Sequence, residues 1–221
     1  MASCETSEED EARPCEASYL YETASVATLR WACAGCHVGI THYLLDVCQI
    51  DPDACDDTGL TPLMLASMHG HTDIIKLLLH RNADVNKTDT TGCTALHHAV
   101  RHNHVRVADI LITHGDTRLN VVEYVTGETP LCYAALRGNL AIARSLVEHG
   151  CTLDVQNNEG DTALHVACRE EWDEVALLLV RNGASTKLRN KSNMTPVYVA
   201  STYLRRILES HMKLVEVERE G

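Results

Sequence analysis

Five copies of one short phrase, held at nearly constant spacing, constrain this chain more than any other feature. GLTPLMLA begins at Gly59, GCTALHHA at Gly92, GETPLCYA at Gly127, GDTALHVA at Gly160 and NMTPVYVA at Asn193. The shared threonines are Thr61, Thr94, Thr129, Thr162 and Thr195, in steps of 33, 35, 33 and 33 residues. Such a period means one supersecondary unit repeated along the chain. Each unit is too small to bury its own apolar face and is stable only when stacked on its neighbours.

Each part of the phrase has a physical role. The threonine suits a helix N-cap, where its hydroxyl satisfies an orphan backbone N–H. Pro62, Pro130 and Pro196 fall in the first turn, where no N–H is needed. Leu63 and Ala66, Leu96 and Ala99, and Leu164 and Ala167 are three apart and share one helix face, with the small alanine admitting a neighbouring helix. Gly70 and Gly138 break the chain before a second helix. There Ile74-Leu77-Leu78 and its counterparts form one buried stripe. Leu78, Leu111, Leu146 and Leu178 are expected to line that second-helix core.

The period, the G-x-T-P-L-x-x-A phrase, His71, the paired leucines and Ala83-Asp84-Val85-Asn86 together resemble the ankyrin repeat. The resemblance implies an all-α solenoid of stacked helix-turn-helix units with β-hairpin fingers. The expected array covers 23–210: a degenerate cap at 25–54, repeats starting near 56, 89, 124 and 157, and a C-terminal cap at 190–210. Residues 1–22 carry seven acids against one base and are expected to form a disordered acidic tail. Residues 211–221 are expected to form a polar tail.

The net charge is -12. It argues against nucleic acid, whose binding depends on neutralising phosphates, and against an anionic membrane surface. No apolar run approaches the ~18 residues of a spanning helix. The opening MASCETSEEDEARPCE lacks the apolar core of a secretory signal. The ten cysteines therefore read as reduced thiols, and the expected location is cytoplasmic or nuclear.

Glu159 to Ser185 resembles the penultimate repeat of the gankyrin-like, proteasome-associated ankyrin proteins. That resemblance implies an adaptor in proteasome assembly or cell-cycle control, with a proteasomal ATPase, a retinoblastoma-type protein and a cyclin-dependent kinase as partners. The L-x-C-x-E motif of that group aligns with Val166, Cys168 and Glu170, so valine replaces the leucine. Other ankyrin proteins serve as substrate-recognition adaptors of ubiquitin ligases, which is the alternative reading.

Three motifs suggest chemistry. Cys33-Ala34-Gly35-Cys36-His37 matches the C-x-x-C-H haem-attachment pattern, but in register with the repeat Cys36 and His37 fall on Gly70 and His71, at the turn between helices. His97, His98, His102 and His104 suggest zinc, yet His97 and His104 occupy the repeat's own histidine positions. Cys132 and Cys168 sit on helices as small apolar fillers, with no ordered Cys–His–acid set. No cofactor, no metal site and no enzymatic activity are expected.

The resemblance implies a protein partner held on a concave side built from finger tips and first helices. The variable positions there are Leu60, Met68, His69, Thr91, Cys93, Arg101, His102, Glu128, Arg137, Asp161, Arg169 and Glu170. The 35-residue step places extra residues between Gly115 and Gly127, so Tyr124 and Val125 are expected on a longer finger that serves as an apolar anchor. Asn86, following Asp84-Val85, resembles the site that asparaginyl hydroxylases modify in other ankyrin repeats. A monomer is expected.

Overall fold

The computed structural model describes residues 16–210, with side chains from residue 25. Among the described residues the helices run α1 (Glu16–Ala34), α2 (Val38–Asp46), α3 (Pro62–His69), α4 (Thr72–His80), α5 (Ala95–Arg101), α6 (Val105–Thr113), α7 (Pro130–Leu136), α8 (Leu140–Glu148), α9 (Ala163–Arg169), α10 (Asp173–Arg181) and α11 (Pro196–Val199). Residues 202–210 are helical as well. Odd-numbered helices pack on one another in chain order, even-numbered helices form a second row, and each odd helix packs on the even helix that follows it. The result is an all-α two-row solenoid.

The caps are those the threonines require. The Thr61, Thr94, Thr129, Thr162 and Thr195 hydroxyls accept from the backbone N–H groups of Met64, His97, Cys132, His165 and Tyr198. Such a cap contributes roughly 1 kcal/mol, a large share of what a seven-residue helix can supply on its own. In α5 and α9 the cap is reciprocal, the third-position histidine accepting from the threonine N–H. α11 stops after one turn. Arg205 folds back on it and donates to the Val197 and Tyr198 carbonyls, satisfying acceptors that the short helix leaves open.

Leu78, Leu111 and Leu146 are fully buried. The fourth member of this column is Leu179, also fully buried, and not Leu178. Leu179 lies seventeen residues after its threonine, as do the other three. Leu178 instead lines an outer cleft of about 370 Å3 between α8 and α10, with Leu140, Arg144 and Arg181.

Two further expectations change. α1 begins at Glu16, inside the segment read as a tail ending at 22; residues 1–15 and 211–221 lie outside the described residues. The fingers are not β-hairpins, since the described residues contain no strand. Each finger is a turn, and adjacent tips share a single backbone hydrogen bond: Thr90 N–H to Thr58, Tyr124 to Thr91, Asn158 to Thr126 and Lys191 to Glu159. Turns this short leave no length for a ladder.

Candidate functional site: the finger row and the odd-helix face

A polar side chain closes each finger. Asp56, Asp89, Asn157 and Asn190 each accept, through Oδ1, from the N–H groups two and four residues onward. In each of these turns the backbone N–H three residues on also donates back to the closing residue's carbonyl. The third finger in chain order has one residue more between its closing residue and its glycine. Here the closing residue is Glu123, whose additional methylene reaches across the larger turn. Its carboxylate accepts from the N–H groups of Val125, Thr126 and Glu128 and from the Thr126 hydroxyl. These bonds hold its pKa below the usual carboxylate value, although burial, the largest single influence, acts the other way.

The longer turn raises an apolar tip. Tyr124 and Val125 are each 69% exposed and Val122 is 39% exposed. The Tyr124 ring lies over Gly92, where a β-carbon would come within 2.9 Å of it. The backbone there is left-handed, with φ +83°. Glycine at 92 is thus required twice, by its own conformation and by the tyrosine of the next unit.

Below the tips runs the residue that precedes each capping threonine. This column was expected to face a partner. The structure corrects two of its members: Cys93 and Asp161 are each only 2% exposed. Leu60, Glu128 and Met194 are half-buried. The position is tucked between a finger and the next unit, so it packs instead of projecting. Asp161 is held by Arg169 and by the Asn190 amide. Burial raises the pKa of the Cys93 thiol, as it does that of the Glu128 carboxyl, with help from Glu123. Thr91 is exposed, its hydroxyl donating to Asp89.

The ends of the odd helices do reach solvent. His69, Arg101, His102, Arg137, Arg169 and Glu170 are exposed and Met68 is half-buried. His69 stacks on His71 and His102 on His104, with centroids 5.8 and 6.3 Å apart. His71 and His104 are themselves fixed, their Nε2 atoms 2.8 and 2.9 Å from the carbonyls of Ala34 and Met68 in the preceding unit. His98 is buried against Asp89, 2.9 Å away. The four histidines singled out for zinc therefore have separate structural roles. Among the described residues no group of three or more His, Cys, Asp or Glu could hold a metal ion. In the C-x-x-C-H segment Cys33 is fully buried, its pKa pushed up to about 11 by burial, while Cys36 is exposed. The two sulfurs are not offered to one face.

Two aromatics were missed. Trp172 is 43% exposed. It replaces the His71, His104 or Asn139 of other units, covers Gly138 so closely that a β-carbon would clash, and directs Nε1 to the Leu136 carbonyl. Comparison of equivalent turn positions would have exposed it. Tyr133 lies edge-on to His97 and beneath the Arg101 guanidinium, 5.9 Å from its ring centre.

A family model described as ankyrin repeats (3 copies) matches residues 29–122 and 116–190. Similar curated proteins include the ankyrin repeat and KH domain-containing protein mask-1 of Caenorhabditis elegans, 34% identical over 63% of this chain and 5% of the relative. Another is the potassium channel AKT2/3 of Arabidopsis thaliana, 30% identical over 67% of this chain and 18% of the relative. A third is human neurogenic locus notch homolog protein 1, 33% identical over 66% of this chain and 6% of the relative. The matched segments thus span less than a fifth of each of these relatives. Among solved structures the ankyrin repeat domain of Bcl-3 superposes with a TM-score of 0.70 at 24% identity, covering 82% of this chain and 97% of that domain.

Proposed function

The chain belongs to the ankyrin-repeat family, a fold typical of protein–protein interaction, and on that premise we propose that it is a non-enzymatic adaptor. It holds a protein partner on a concave face formed by the odd helices and on the Glu123–Glu128 finger. The observation that carries this reading is the finger itself. A glutamate clasp fixes a turn whose tip presents Tyr124, Val125 and Val122 to solvent, and rigid exposed aromatics are common binding anchors. The adaptor works as a monomer in the cytoplasm or nucleus, in keeping with described cysteines that are all free thiols.

Two pathways fit an adaptor of this kind: a gankyrin-like role in proteasome assembly or the cell cycle, and substrate recognition for a ubiquitin ligase. The first cannot use the pocket-protein motif as aligned, because Val166 and Cys168 are fully buried. Affinity purification with mass spectrometry separates the two. Proteasome base subunits support the first, a cullin the second. For whichever partner is recovered, Tyr124→Ala should weaken binding about tenfold, or ~1.4 kcal/mol, with the melting temperature within a few degrees of the parent. Unchanged affinity would remove the finger from the interface.

A further inference from the structure

The position eight residues after each capping threonine runs down the odd-helix face as His69, His102, Arg137 and then Glu170. The matching place in the first unit is Gly35. All four side chains are exposed. Arg101, beside His102, is exposed too, and neither it nor Arg137 makes an ion pair among the described residues. Three basic side chains therefore stand in line across α3, α5 and α7, ended on one side by a glycine and on the other by an acid.

At the usual interval between packed helices, such a line suits one backbone conformation. Packed helices lie about 9 Å apart. A polyproline II segment turns once every three residues and rises about 9 Å in doing so. Every third side chain of such a segment thus faces the same way at the interval of the repeats. A β-strand sends every third residue to the opposite side.

We propose that this column, deepening the adaptor reading on which it rests, is the seat of an extended acidic segment of the partner, in polyproline II conformation, with a carboxylate at every third residue opposite His69, His102 and Arg137.

Grip on the segment rises as the pH falls. Arg101 and Arg137 supply fixed guanidinium charge, while the imidazole of His102 gains its charge only on protonation. The groups around them are His71 and His104 in the stacks, His98 and Arg101 on α5, and Arg137 on α7. Of the carboxylates in this region, Asp89 is taken by His98 and Glu128 feels the Arg101 charge. Burial, then the neighbouring His98, His104, Arg101 and His69, lowers the His102 pKa. That histidine therefore charges at a lower pH than a free imidazole.

The test uses the whole chain and a fluorescent blocked peptide of four Glu-Pro-Pro triplets. Its control is a peptide of the same composition with the glutamates in one block. The triplet peptide should bind at least about fivefold tighter than the control at pH 6, equivalent to two weak exposed ion pairs. It should tighten by a similar factor from pH 7.5 to 5.5. Arg137→Gln should weaken it at both pH values. The double variant His69→Asn, His102→Asn should keep the pH 7.5 affinity and lose the acid gain. Equal binding of the two peptides, no binding at either pH, an acid gain that survives the double variant, or an equal grip on an oligothymidylate would overturn the proposal. Tyr124, on a finger tip at the other end of the helices, should not matter to this peptide. If the peptide fails while Tyr124→Ala still weakens the purified partner, the adaptor reading stands and only the acidic segment falls.

Discussion

Thr94–His97 and Thr162–His165 are the same device facing different fingers. In both, the threonine N–H donates to the histidine Nδ1 at 3.1 Å, and both imidazoles are fully buried. They differ at the far nitrogen. His165 Nε2 lies 3.1 Å from the Met194 carbonyl of a regular finger. His97 faces the longer Glu123 finger, where its Nε2 meets the Glu128 and Val121 carbonyls only weakly, outside ordinary hydrogen-bond geometry. Lengthening a surface turn by one residue thus reaches a buried donor in the unit before it. An exposed tyrosine and a weakly held core histidine thus accompany the same longer turn.

The largest effect expected lies outside the comparison and sets its scale. Leu78→Ala, deep between α4 and its neighbours, should cost roughly 2–5 kcal/mol in denaturant titration, the sum of transfer and cavity losses. A loss below ~0.5 kcal/mol would mean that the unit collapses around the gap. The pH dependence of stability comes next. Burial drives the His97 pKa down to about 4, so the fold favours the neutral ring. Its contribution is complete above the unfolded value near 6.5 and is lost as the pH falls toward 4, roughly 3 kcal/mol in all. His97→Gln should flatten the acid limb of a stability–pH curve. His165→Gln should flatten it less, because the Met194 carbonyl favours the protonated ring and offsets burial. Identical slopes would break the comparison.

Replacing Glu123–Glu128 by the Asp-Thr-Thr-Gly-Cys of the preceding finger should bring the backbone acceptor into full hydrogen-bond reach of His97. The expected gain is up to about 1 kcal/mol, with the anchor lost. A less stable product would show that the longer turn is not what loosens the imidazole. The smallest effect belongs to Asn86. Its amide donates to the Asp116 carbonyl and accepts from Arg118 N–H, so both ends are engaged across a regular junction. Co-expression with an asparaginyl hydroxylase should add one oxygen to the Asn86 peptide in a mass spectrum and barely move the melting temperature. No added oxygen would leave Asn86 as a turn residue alone.

The sequence legibly carried whatever repeats within one unit. The threonine caps, the helix pairs and the Leu78, Leu111 and Leu146 column follow from local chemistry and spacing. Leu178 was misplaced because Leu177-Leu178-Leu179 offers three leucines to one slot, and only the offset from Thr162 distinguishes them. Contacts between units were harder to see. Cys93 and Asp161 looked variable and therefore exposed, but their burial depends on the next finger, 33 residues on. Glu123 could have been recognised, since it stands where other units use Asp or Asn and its side chain is longer where the turn is longer. The loosened hold on His97 has no counterpart in the sequence at all.

The finger tips are joined by one backbone hydrogen bond at each junction, four in a row. Under tension applied to the two ends of the chain, these bonds are loaded one after another instead of together. A stretched molecule should therefore peel unit by unit, in a sawtooth of small, evenly spaced force peaks. The junction beside the longer finger, with its weakly held imidazole, should be among the first to give.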